Sequence, residues 1–244
     1  MHSAVRHHGA PRQAGAALLA LLLLLVLGTS AVLLGAFSPV DHERQRELLT
    51  RQRVAAAREA LLGYAMAHGR LPRPAASALD GRETERSCSS DSDCTGYLPW
   101  VALGIAGSDG WYHLLRYSVS PEFTSTIDRN AAASKVVLTR QLDGSERYLS
   151  GQEQCSMALL CAAAVVLSTG RLNFGVSEQG VLQTSLDDSG TNLDEIANAS
   201  ASRRFMARPY SDDPAAPGGR YDDQVSWIDA AALLSRLNRT GLLH

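Results

Sequence analysis

Hydrophobic and polar positions divide this chain into three stretches of different character. Residues 1–15 are polar, with Arg6, Arg12, His2, His7 and His8 but no acid. From 16 to 40 no residue is charged, and 18–27 is leucine apart from Ala20 and Val26. As a helix that run extends over roughly 30 Å or more, enough to cross a bilayer. From Asp41 the character changes abruptly to Arg, Glu and Gln, with no Gly or Pro through Leu62. Val54, Ala57, Leu61, Tyr64 and His68 recur at steps of three and four, the spacing of one helix face. The pattern predicts one continuous helix over about 16–68, apolar first and amphipathic afterwards, stopped by Gly69 with Pro72 and Pro74.

Residues 69–110 read as a long loop in which Leu98, Pro99 and Trp100 form an apolar anchor. Strand-like runs follow at 111–119 and 135–142, with a weaker one at 147–149. The stretch 152–168 is ambiguous, helical in composition at 157–161 and like a buried strand at 164–167. Residues 170–190 are rich in turn formers, 192–201 reads as a helix capped by Asn192, and 221–228 reads as a strand. Asp229 then caps an amphipathic helix at 230–239, closed by Gly241. The predicted class is α+β: a long N-terminal helix, half transmembrane and half amphipathic, packed on an antiparallel sheet.

A cleaved secretory signal needs a shorter apolar region, about 7–15 residues, although Leu33-Leu34-Gly35-Ala36 resembles a cleavage site. A signal anchor fits the length. Arg6 and Arg12 then hold the N-terminus in the cytoplasm and send the rest across the membrane. Cysteine usage agrees with an oxidising compartment, since the four cysteines form two close pairs, Cys88/Cys94 and Cys155/Cys161. Four cysteines allow three connectivities, which the sequence does not choose between. The flexible Ser-Ser-Asp-Ser-Asp spacer favours Cys88–Cys94. Zinc is disfavoured, because neither pair has two-residue spacing and no histidine lies near.

At 244 residues and a net charge of −2, with basic residues scattered, nothing points to nucleic acid. Enzymatic signals are thin. Ser168 lies in Leu-Ser-Thr-Gly, without the elbow of an acyl hydrolase, and His42, His68 and His113 are isolated. No phosphate loop or dinucleotide fingerprint occurs. The expectation is a protein without catalytic activity.

A short basic leader, a glycine, an apolar helix continuing as an amphipathic stem, a cysteine-bearing loop and a β-rich head resemble the type IV pilins and the pseudopilins of type II secretion. The local match is Arg12-Gln13-Ala14-Gly15 followed by Ala16-Ala17-Leu18-Leu19. Residues 57–72 resemble the end of a pilin stem. Residues 109–121 (DGWYHLLRYSVSP) resemble a segment in which a D-x-W-G turn leads into a strand, and 223–227 (DQVSW) resembles the D-x-V-S-W ending of the major pseudopilin. The resemblance implies a leader at 1–15 removed by prepilin peptidase after Gly15, N-methylation of Ala16, a transmembrane helix at 16–40, a stem at 41–68 and a periplasmic head at 69–244. It implies an inner-membrane protein with one pass, extracted into a filament. Its partners would be other pilins or pseudopilins, the peptidase, an inner-membrane assembly platform and membrane lipid. Most of the family has Glu at the fifth mature position, where this chain has Ala20. Subunits lacking it tend to be minor ones near the filament tip, and a minor, tip-proximal or initiating subunit is the expectation here.

Arg44, Arg46, Glu47, Arg51, Arg53, Arg58 and Glu59 would set register between neighbours or simply form a solvated face. Asp187, Asp188, Asn192, Asp194 and Glu195, followed by Asp212, Asp213, Asp222 and Asp223, supply the oxygens calcium takes. The major pseudopilin binds calcium in its C-terminal loop, which makes Asp187, Asp188, Asp194 and Asp223 the candidate ligands. Two alternatives compete with a filament subunit: an anchored periplasmic binding or adhesion module that is neither processed nor assembled, and a membrane-anchored hydrolase.

Overall fold

The computed structural model describes residues 14–36, 39–156, 161–172, 174–183, 190–241 and 243, without the side chains of 14, 16 and 30–39. The chain divides into two compact units, Met1–Arg44 and Gln45–His244.

The helix expected over 16–68 is described in two stretches. Helix α1 spans Ala14–Ala36 and α2 spans Pro39–His68, with 37 and 38 outside the described residues. In α1, Leu18, Leu19 and all of 21–27 are exposed, between 49 % for Leu22 and 69 % for Leu24. Among the described residues no helix is long and apolar enough to cross a membrane. The expectation of a single pass is therefore not established by the fold.

The second unit is mixed α+β. Its elements after α2 are β1 (Thr95–Tyr97), α3 (Trp100–Leu103), β2 (Arg116–Val119), β3 (Val136–Arg140), β4 (Glu146–Ser150), β5 (Ala162–Ser168), α4 (Leu193–Ser200), β6 (Arg204–Met206), β7 (Gln224–Asp229) and α5 (Ala230–Arg239). An antiparallel sheet has the order β1-β2-β5-β7, and a smaller sheet has the order β4-β3-β6 with β3 and β6 parallel.

Strand β5 explains how the layers are held. Every one of its residues is buried, so it reads as a continuous apolar run rather than an alternating one. Successive side chains point to opposite faces. Ala164 and Val166 join a core that contains Val54, Ala57, Leu61, Leu62 and Ala65 of α2 and Leu233 and Leu237 of α5. Val165 and Leu167 join a second core with Val137 of β3 and Phe205 of β6. The stem face at 54, 57 and 61 is thus the face that covers the sheet. Tyr64 and His68 leave it: their rings stack on each other at 4.0 Å, with His68 exposed.

Gly69 ends α2 with φ of +68°, and its N–H returns to the Ala65 carbonyl. The following loop is pinned by Glu83. Its carboxylate accepts hydrogen bonds from both terminal nitrogens of Arg70 (2.6 and 3.1 Å), from the Arg73 backbone (2.9 Å) and side chain (3.1 Å), and from Tyr64 (3.0 Å). Burial alone would raise the Glu83 pKa, but these donors outweigh it and lower it to about 2. A folded pKa below the unfolded one gives stability that is fully present above about pH 4.5. It is lost as the pH falls through about 2. Glu83→Gln is expected to cost about 1–3 kcal/mol at pH 6. The gap to wild type should close at low pH, which urea unfolding at the two pH values measures.

Both close cysteine pairs are disulfides, Cys88–Cys94 with Cα atoms 5.1 Å apart and Cys155–Cys161 at 5.8 Å. Cys94 leads into β1 and Cys161 into β5, and both are buried. Trp100 does anchor the loop, since a side chain at either Gly81 or Gly107 would overlap its indole, at 1.9 and 2.4 Å. The expected caps act differently. Neither Asn192 nor Asp229 makes a side-chain cap bond. Asn192 instead donates to Glu195 (3.0 Å), and Asp229 accepts from Ser150 (2.6 Å) and the Trp227 indole (3.1 Å). The ambiguous segment 157–160 lies outside the described residues.

Candidate functional site

Two constellations in the second unit join distant parts of the sequence. The first fastens the stem to the head. Asp109 is fully buried, and its Oδ1 accepts the N–H groups of Trp111 (2.8 Å) and His113 (2.9 Å), folding residues 109–113 into a turn. Its Oδ2 accepts the Ser168 hydroxyl at 2.5 Å. Burial raises the Asp109 pKa, against the lowering effect of Ser168 and the His113 N–H. The hydroxyl of Ser168 is thereby committed to holding the turn. The Gly110 N–H donates to Thr50 Oγ1 (3.0 Å), and a Cβ on Gly110 would lie 2.1 Å from the Arg46 carbonyl oxygen. Only glycine lets the turn lie this close to the backbone of α2.

Stem arginines close the junction. Arg53 donates to the Ser108 carbonyl (2.9 Å), the Ser108 hydroxyl (3.0 Å) and the Asp109 carbonyl (2.9 Å), and Arg58 donates to the Trp227 carbonyl (2.9 Å). Arg46 and Arg171 lie over the Trp111 ring at 5.4 and 5.8 Å. Of the charges expected to address neighbouring subunits, Arg46, Arg53 and Arg58 therefore work within the molecule. Glu47 pairs with Arg51, and Glu59 with Arg58. Tyr112 occupies the glycine position of the D-x-W-G pattern and has φ of 66°, a left-handed conformation that side chains resist.

The second constellation is acidic. Asn192, just before α4, and Glu195 and Asn198 within it recur at steps of three and are buried, and Asp222 and Asp223 arrive from the segment before β7. Glu195, Asp222 and Asp223 form a cluster in which one carboxylate oxygen from each lies within 4.8 Å of the others. Asp222 Oδ2 accepts the N–H groups of Arg171 (2.7 Å) and Leu172 (3.1 Å), while its Oδ1 is buried without a donor. Glu195 accepts from the Asp222 N–H (2.8 Å), and Asp223 from the Asn198 amide (2.8 Å). Burial and the neighbouring Glu195 raise the Asp222 pKa to about 7, and the same two causes raise that of Asp223 well above the ordinary range. Gly170 makes room for this arrangement, since a Cβ there would lie 2.3 Å from Asp222 Oδ1.

Of the four candidate calcium ligands, Asp223 belongs to this cluster and Asp194 does not. Asp194 is ion-paired with Arg140 (2.7 Å) and Arg208 (2.8 Å). Asp187 and Asp188 lie outside the described residues. Glu195 and Asp222 stood among the acidic residues that the sequence offers for calcium, but not among the four preferred ligands. The signals present were the Asp222-Asp223 doublet and the three-residue step linking Glu195 to Asn192 and Asn198. Gly15 lies in the first turn of α1 with open space around it, and Ala16 follows it in the helix.

No protein-family model, no curated protein and no solved structure matches this chain.

Proposed function

We propose that this chain is a pilin-like structural subunit, a minor pilin or pseudopilin of a type II secretion or type IV pilus filament, anchored in the inner membrane with its head in the periplasm. The exposed leucine surface of α1 carries this reading. Apolar side chains at 18, 19 and 21–27 cover the whole circumference of the helix, and a surface of that kind is stable only against lipid or other helices. At about 25 cal/mol per Å² of apolar surface, each buried leucine contributes on the order of 2 kcal/mol in either setting. Transfer from bilayer to filament is then a near-even exchange. The head supports the reading through its attachment to α2, by which a pull on the stem acts on the head. Ala20 in place of a glutamate removes a buried carboxylate that would need a partner above it, and this favours a place at the tip. The proposal is tested with Gly15→Val: the variant should accumulate as a membrane-inserted precursor, whereas unchanged processing counts against a prepilin leader.

Calcium is proposed for the acidic cluster, on the strength of the three grouped carboxylates and of an Asp222 Oδ1 that is buried without a donor. Glu195, Asp222 and Asp223 would supply hard oxygen ligands, and the ion would offset charges that burial disfavours. Saturating calcium should raise the melting temperature by about 5 °C or more. Asp222→Asn should abolish the rise, and equal melting in calcium and in chelator would remove the proposal.

A further inference from the structure

A cavity of about 290 Å³ opens beside β1 and β2, lined by none of the three carboxylates of the acidic cluster. Its walls are Tyr97, Leu114, Phe174, Val176 and Leu182, and two polar residues, Arg116 and Thr169, interrupt the apolar lining. This is close to the lower size bound of ligand pockets, about 300 Å³, and resembles them in having few polar groups among apolar walls.

Three observations set the cavity apart from a packing gap. Thr169 is 2 % exposed, yet its Oγ1 has no hydrogen-bond partner. Buried hydroxyls are nearly always paired, so an unpaired one in a cavity wall marks a bond left for something else to make. Arg116 donates to the carbonyls of Asn198 and Ala201 (the latter at 3.2 Å); the buried Asp223 lies within electrostatic reach of its guanidinium, but no salt bridge joins the two. A guanidinium has five N–H donors in a planar fork, so two carbonyls leave donors to spare. Phe174 holds φ of 63°, a strained conformation for an aromatic residue of the kind that collects at ligand sites.

We propose that this cavity binds a small aliphatic carboxylate, its oxygens held by Arg116 and Thr169 and its chain lying against Tyr97, Leu114, Phe174 and Val176. A carboxylate is the group that accepts from a guanidinium and a hydroxyl together. The volume limits the ligand to roughly ten water-sized groups, which suits a chain of about six carbons. Nothing in this inference depends on filament assembly.

The test is titration of the isotope-labelled full-length chain with hexanoate, followed by NMR at Thr169, Phe174 and Leu182. Saturable shifts at these residues are expected, with hexylamine at least tenfold weaker because its charge opposes that of Arg116. Thr169→Val should weaken hexanoate about tenfold while melting no lower than wild type, since it removes only an unpaired hydroxyl. Ala199→Phe, which fills the cavity from α4, should abolish the shifts. The proposal is overturned if hexanoate produces no saturable shift there, or if hexylamine or the Thr169→Val protein binds as well as hexanoate binds wild type.

Discussion

Gly110→Val will lose about 2–4 kcal/mol of stability, and the loss will be concentrated where the head meets the stem. The added Cβ has no room: the Arg46 carbonyl oxygen would lie 2.1 Å away, its carbon 2.9 Å and Thr50 Oγ1 2.9 Å. Two of these atoms belong to helix backbone, which cannot step aside as a flexible side chain does. Overpacking of this kind costs about 1–3 kcal/mol. The Gly110 N–H bond to Thr50 is lost with it, for about 1 kcal/mol more. Urea unfolding should show the drop, and hydrogen exchange should show early loss of protection at the turn. Thr50→Val removes the bond without the clash and should cost only about 1 kcal/mol. Wild-type stability in Gly110→Val would mean that the turn does not lie against α2 as described.

Asp194→Ala is expected to cost about 3–5 kcal/mol, because it leaves the guanidinium groups of Arg140 and Arg208 without their shared carboxylate. Arg208 is nearly buried and would have to move or carry an uncompensated charge. The cost should be the same with calcium and with chelator, since Asp194 stands outside the acidic cluster. Asp222→Asn should show the opposite pattern, losing stability relative to wild type only when calcium is present. Calorimetry on both variants in both solutions separates a structural carboxylate from a liganding one. A calcium-dependent loss in Asp194→Ala would return that residue to the ligand set.

Where hydrophobic periodicity was long, the sequence predicted the fold well. The stem face at 54, 57 and 61, the end of α2 at Gly69 and the C-terminal helix at 230–239 are all plain from spacing and stop signals. The strands at 116–119 and 136–140 follow from β-branched and aromatic runs, whereas 162–168 falls in an ambiguous stretch, of which only 164–167 reads as a strand. Strands β1 and β6 were not legible for a common reason. Each is three residues long, β1 contains Gly96 and β6 begins with Arg204, so neither carries a pattern of its own. They are strands because a neighbour pairs with them, β2 in one case and β3 in the other.

The candidate sites were legible only in part, and again the missing information is long-range. Acidic residues near 187–195 and 222–223 pointed to the right region, but two neighbouring carboxylates on α4 meet opposite fates. Asp194 faces Arg140, which comes from β3, while Glu195 faces Asp222. That choice is made by helix phase and by strands distant in sequence. The cavity beside Thr169 had no sequence signal, since its threonine, arginine and phenylalanine are separately unremarkable and are assembled by the sheet. Asp109 and Gly110 did stand in the segment that resembles a D-x-W-G turn. Their physical task, holding a turn against α2, became visible only when Thr50 and Arg53 were seen beside them.

Intact-mass measurement on protein extracted from membranes of the native host addresses the proposed function most directly. The mature chain should begin at Ala16, lacking residues 1–15 and carrying one added methyl group. A chain that keeps its first fifteen residues, or one that starts near Phe37, would leave α1 an ordinary anchor or a discarded signal, and the filament reading would fail with it.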